Sequence, residues 1–256
     1  GAAGAQAAAP EPFGHPCTAG DGVRLCPATT LQERVPSFDG VPIDVDVTLP
    51  ATGTGPWPTI VLLHGFTGSK LDYEKPSADG WNSGDLARRG YAVMTTSARG
   101  FGRSCGTKES RTPDCARGWI HLADQRYEVR DTQELLGRLV DEGVARRGAL
   151  AASGDSYGGG QSLQLAFLRD EIRLPDGRFA PWRSPKGTRL SLTAAYPMIP
   201  WSDMRDALLP NGREHGFASP IGVPISSYVN GLLIAANLTG FVAPAGADPD
   251  ADITTW

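Results

Sequence analysis

The apolar positions of this chain keep two rhythms in succession. In residues 43–49, Ile43, Val45, Val47 and Leu49 alternate with Asp44, Asp46 and Thr48. That is the period of a strand with one buried and one wet face. Residues 31–35 come before it across Asp39-Gly40, a hairpin turn signal, so the two segments predict an antiparallel pair. From residue 59 the pattern changes. Thr59-Ile60-Val61-Leu62-Leu63 and Tyr91-Ala92-Val93-Met94-Thr95-Thr96 are apolar runs without alternation, as strands buried on both faces require. Residues 150–153 and 190–195 read as further strands. Helical spacing fills the gaps: a short helix over 83–89 stopped by Gly90, a long one over 124–142, and another over 161–168. In the long one Val129, Leu135, Leu136, Leu139 and Val140 share a face. An antiparallel start followed by βαβα alternation predicts an α/β fold, with a mostly parallel sheet and helices on both faces. Ligands of such sheets bind at the carboxyl ends of the strands.

Three regions follow. Residues 1–30 read as an irregular lead-in, and 31–196 carry the sheet. From 197 to 256 the character shifts: Pro197, Pro200, Pro210, Pro220 and Pro224 break the chain up before an apolar helix over 226–238. This is expected to be the beginning of a helical cap over the site.

Composition narrows the classes. At 256 residues, one large domain with a sizeable core is the default. A net charge of -4 argues against nucleic acid. No apolar run approaches the ~20 residues of a transmembrane helix. No cluster with zinc spacing and no phosphate loop is present, so neither a metal nor another cofactor is expected. The four cysteines allow three pairings, of which local closure, Cys17 with Cys26 and Cys105 with Cys115, is the simplest. The alternative is free thiols in a cytosolic enzyme. These cysteines sit among Pro, Asp, Gly, Arg and Thr rather than apolar neighbours, which favours disulfides and a secreted, extracellular protein. The Ala/Gly/Pro-rich start lacks a basic or long apolar leader and reads as a mature N-terminus.

Candidate chemistry centres on Gly154-Asp155-Ser156-Tyr157-Gly158. It follows the predicted strand and precedes the predicted helix, the context that makes Gly-x-Ser-x-Gly a nucleophile elbow. A sharp turn lifts the Ser156 hydroxyl off the sheet, and the helix N-terminus supplies amides and positive dipole. The bland alternative is a Gly-rich turn with an incidental serine.

Other segments fall in a familiar order: His64-Gly65-Phe66 after a strand; Ala98-Arg99-Gly100-Phe101-Gly102-Arg103-Ser104-Cys105-Gly106; Tyr127-Glu128-Val129-Arg130-Asp131-Thr132; the elbow; and Pro200-Trp201-Ser202-Asp203-Met204. Over roughly residues 35–240 the chain resembles the α/β-hydrolase superfamily, and within it the X-prolyl dipeptidyl peptidase/cocaine esterase-like serine hydrolases. The resemblance implies the α/β-hydrolase fold and a small-molecule ester or peptide substrate, cleaved through an acyl-enzyme on Ser156. Two positions depart from the family pattern. Ser97 stands where Asp often begins the strand-four loop, and Phe66 where cocaine esterase-like members often carry an oxyanion-binding Tyr. Backbone N–H groups of Phe66 and Tyr157 are then the expected oxyanion donors.

The base is harder to place. Triad residues in this fold run serine, acid, histidine, so His15, His64 and His121 come too early; His64 is expected to be structural. Arg99 reads as a brace for its loop, and Asp155 as a maker of local hydrogen bonds. Only His215 follows Ser156, with Asp170, Glu171, Asp176, Asp203, Asp206 and Glu214 as acids between them. No two further sheet strands separate it from the elbow, which argues against it. The expectation is that the acid and histidine lie in a C-terminal remainder of the same protein. A non-catalytic scaffold or binding subunit lacking the triad is the alternative.

Overall fold

The computed structural model describes residues 10–203 and 226–251. Eleven strands are described: β1 Thr18–Gly20, β2 Val23–Pro27, β3 Val35–Pro36, β4 Pro42–Ile43, β5 Val45–Pro50, β6 Trp57–Leu63, β7 Ala92–Thr96, β8 Ala145–Asp155, β9 Glu171–Arg173, β10 Phe179–Pro181 and β11 Leu192–Met198. The helices are α1 Ser83–Arg88, α2 Glu128–Asp141, α3 Ser156–Leu168 and α4 Ser226–Thr239.

Seven strands form the main sheet in the order β1-β2-β5-β7-β6-β8-β11. β7, β6, β8 and β11 are mutually parallel, while β1, β2 and β5 join antiparallel. Alternate residues of β6 divide the two sides. Val61 and Leu63 pack with Leu135, Leu139 and Leu165 of α2 and α3. Ile60 and Leu62 pack with Leu86 and Ala87 of α1. Covering both faces removes every side chain of the run from water, at roughly 1.5–3 kcal/mol each for Val, Leu or Ile. This is the α/β-hydrolase arrangement that the sequence predicts.

Three expectations need correction. Residues 18–27 are not irregular. Asp21 and Gly22, both at positive φ, close a two-residue hairpin between β1 and β2, and β2 extends the sheet beside β5. The partner expected for 43–49 is only partly right. Residues 31–33 form a 3-10 turn, and just Val35 and Pro36 pair with Ile43 and Pro42, in a two-stranded ribbon of their own. Nor is the polar side of β5 wet. Asp44, Asp46 and Thr48 are all buried, and the two carboxylates share a cation: Lys70 Nζ lies 2.8 Å from Asp44 Oδ1 and 2.6 Å from Asp46 Oδ1. Alternation reported the two faces correctly, but a distant cation seals the polar one.

A short hairpin, β9–β10, follows α3 with Asp176 and Gly177 in its turn. The cysteines close locally, Cys17 with Cys26 (S–S 1.99 Å) and Cys105 with Cys115 (1.97 Å). Among the described residues, no helix is long and apolar enough to cross a membrane.

Candidate active site

Register brings the candidate residues together. Leu63 of β6 is opposite both Thr96 of β7 and Gly154 of β8, and Asp155 is opposite Met198 of β11. Four parallel strands therefore end level, and the segments beginning at His64, Ser97, Ser156 and Ile199 leave side by side.

Ser156 occupies the turn from β8 into α3 with φ +49°. A left-handed backbone is uncommon for a residue with a side chain and costs on the order of 1–3 kcal/mol. Close packing enforces it: a Cβ on Gly154 or Gly158 would overlap the Leu63 carbonyl. Both glycines thus let α3 start hard against the end of β6. Ser156 is half-buried. Tyr157 N–H, in the first turn of α3, has no intrahelical acceptor.

The second candidate donor lies on the neighbouring loop. Gly68 N–H donates to Gly65 O at 3.0 Å, so Phe66 and Thr67 are the central residues of a tight turn, Thr67 at φ +69°. The turn uses the amide of its last residue and leaves that of Phe66 uncommitted. The Phe66 ring packs edge-on against Phe101 at 5.2 Å and Tyr157 at 5.4 Å between centroids. With Ala98, Ile120, Ala123 and Ala236 these rings make an apolar cluster beside the elbow, joined by Trp201.

Tyr157 is anchored from below. Its hydroxyl donates to Glu128 Oε1 at 3.0 Å and accepts the Ala123 amide at 2.7 Å. The same carboxylate oxygen accepts His121 N–H at 2.6 Å. Burial pushes the Glu128 carboxyl up to about 7, against the pull of Arg99.

None of the described histidines is hydrogen-bonded to Ser156. His64 is buried, with Nδ1 2.7 Å from Gly65 O, and Nε2 accepts the Ala98 amide at 2.9 Å. That pair of bonds fixes a neutral ring protonated at Nδ1, and burial holds its pKa down. His64 is a splint between the loops after β6 and β7. His121 stacks on Tyr127 at 3.7 Å, with its Nδ1 3.8 Å from Asp248 Oδ2; burial, then the Arg99 charge, lowers it to about 4. His15 Nε2 donates to Glu33 O at 2.7 Å, far along the chain in the N-terminal segment. His215, Asp206 and Glu214 lie outside the described residues.

Arg99 is a brace. Its side chain is fully buried between Asp131 (Nη2–Oδ1 2.6 Å) and Asp39 (Nη1–Oδ2 2.8 Å). Ser97, standing where the resembling family often has Asp, accepts the Lys70 amide at 3.2 Å. Sequence reasoning missed Lys70, Tyr73, Glu74 and Glu128. Ser69 and Asp72 form a capping box at the start of the Lys70–Tyr73 turn, and that S-x-x-D signal marks where the first three cluster.

The family model of the X-Pro dipeptidyl-peptidases (S15 family) matches residues 39–172, just over half of the chain and the whole stretch from Asp39 through the elbow. The chain belongs to this family. No curated protein matches the sequence. Solved structures similar to this S15 chain include brefeldin A esterase, described as a bacterial homologue of human hormone sensitive lipase: 21% identity, covering 56% of this chain and 34% of that one, TM-score 0.36. Esterase B from Lactobacillus rhamnosis is 16% identical over 69% of this chain and 48% of its own, TM-score 0.39. A prolyl endopeptidase is 21% identical over 57% of this chain and 20% of its own, TM-score 0.40. The S15 chain thus spans from a third to about half of the length of these two esterases.

Proposed function

We propose that this S15 chain carries the nucleophile of a secreted serine hydrolase that cleaves an ester or amide bond through an acyl-enzyme on Ser156. The observation that carries this reading is Ser156 itself, held at positive φ between β8 and the N-terminus of α3. In this mechanism Ser156 Oγ attacks the carbonyl while a histidine takes its proton. The oxyanion rests on the Phe66 and Tyr157 amides. The histidine then protonates the departing alcohol or amine, and water resolves the acyl-enzyme. The apolar cluster of Phe66, Phe101 and Tyr157 suits an acyl chain or a prolyl ring next to the scissile bond. Two disulfides favour an oxidising compartment.

Within this reading the histidine and acid come from a C-terminal remainder of the same protein. The hydrogen bonds of His15 and His64 to backbone groups, and the stacking of His121 on Tyr127, support that. So does β11, which ends the sheet among the described residues and exposes Thr193, Ala194 and Tyr196. That no described histidine is hydrogen-bonded to Ser156 equally favours a second reading, a hydrolase-fold scaffold without a triad. Ester and X-Pro amide hydrolysis by the natural secreted protein, with its intact mass measured alongside, separates the two. The hydrolase reading expects turnover that Ser156→Ala abolishes. A natural species of 27.0 kDa without turnover supports the scaffold.

A further inference from the structure

The loop after Phe66 is built as a bracket. It makes one 3-10 turn, Lys70–Tyr73, closed at its start when Ser69 N–H donates to Asp72 Oδ2 at 3.1 Å. Lys70 ties this turn down through its amide to Ser97 and through Nζ to Asp44, Asp46 and Ala28 O. On the far side Glu74 Oε1 accepts the Thr95 hydroxyl at 2.8 Å. Both ends of the turn are thereby fixed to the β5–β7 part of the sheet.

Between these ties Tyr73 reaches the other way. Its hydroxyl donates to Asp155 Oδ1 at 2.9 Å. The second oxygen of the same carboxylate stands over Gly65, 2.9 Å from where a Cβ would project. Asp155 therefore touches the residue before Phe66 and is tied to the turn after it, while sitting next to Ser156 in the chain. Such a tie has a purpose. The paired register of β6 and β8 ends at Leu63 and Gly154, so no ladder holds the Phe66 loop against the elbow beyond that point. Oxyanion donors must be held to about 0.5 Å to act.

We propose that Tyr73 is a positioning residue which, through Asp155, sets the spacing between the Phe66 amide and the Ser156–Tyr157 turn, and so the shape of the oxyanion hole. This rests on the reading of Ser156 as the nucleophile. Side-chain ties above the ladder do here what backbone bonds do below it.

The test is a double-mutant cycle on the full-length protein with p-nitrophenyl acetate, using Tyr73→Phe, Asp155→Ala and the pair, with Ser156→Ala as the control. Tyr73→Phe removes one hydroxyl and keeps the ring. The expected result is a fall in kcat of about 10-fold, smaller than the ~100-fold of a 1 Å misplacement, with KM changed less than about twofold because the ground state binds as before. The thermal midpoint stays within a few degrees. The double variant should lose no more than Asp155→Ala alone. Wild-type kcat in Tyr73→Phe, or losses that multiply in the pair, overturns the proposal. If Ser156→Ala is dead while Tyr73→Phe is unimpaired, only the positioning role fails. If Ser156→Ala still turns over, or the unaltered protein never does, the nucleophile reading fails and this one with it.

Discussion

At the scale of single residues, the elbow was legible because its requirements are local. Two glycines, a serine and a change from apolar run to helical spacing all fall within one stretch of chain. What was not legible is everything that acts from a distance. Nothing in the sequence near Asp44 and Asp46 announces Lys70, and nothing near Asp155 announces Tyr73. The structural role of His64 followed from its order in the chain, but its two hydrogen bonds, which fix the neutral tautomer, are tertiary. The positive φ of Ser156 yields a prediction about stability. Alanine at this position keeps the strain, whereas glycine relieves it. Ser156→Gly should therefore be more stable than Ser156→Ala by roughly 1 kcal/mol, although both remove the hydroxyl. Parallel thermal melts decide it, and equal midpoints would show that the turn is not strained.

At the scale of elements, β6, β7 and β8 were readable from their apolar runs, since a strand buried on both faces has little room for polar residues. β1 and β2 were not, although Asp21-Gly22 is a hairpin signal. Their segments are short and mixed in character, and the ladder that joins the hairpin to the sheet is that of β2 with β5, some 20 residues on. β9 and β10 escaped because they are three residues each and pair only with each other, despite Asp176-Gly177. The β1–β2 hairpin lies at the rim of the sheet, where one neighbour and the Cys17–Cys26 bridge hold it. Replacing both cysteines by serine should cost about 2–4 kcal/mol. Amide exchange should rise first in residues 18–27 while β6 and β8 stay protected. Uniform acceleration across the sheet would show that the bridge instead supports the whole fold.

For the molecule as a whole, the pH dependence of stability follows from buried carboxyls beside the site. Burial, reinforced by the Asp46 carboxylate, pushes Glu74 up to about 8. In the unfolded chain an ordinary Glu ionises near 4.5. Between these values the unfolded state gives up a proton that the folded state keeps, so stability falls as pH rises from about 4.5 to about 8. Glu128, at about 7, adds in the same direction over most of that window. Glu74→Gln carries a permanently neutral group. Its stability relative to the unaltered protein should grow across this window in denaturant titrations, and a constant difference would contradict the assignment. The fold class could be read from the order of strands and helices, and the S15 family match over residues 39–172 covers the segments that carried the resemblance from His64 through the elbow, though not the one at 200–204. The base could not, because among the described residues His15 and His64 hold backbone groups and His121 is stacked on Tyr127. The central claim remains that Ser156 is a nucleophile facing an assembled oxyanion hole. Treating the natural protein with a fluorophosphonate and mapping the adduct by peptide mass spectrometry tests this most directly. The account predicts a single phosphonylated peptide bearing Ser156, absent in Ser156→Ala; a hydrolytically active protein in which Ser156 stays unmodified would contradict it.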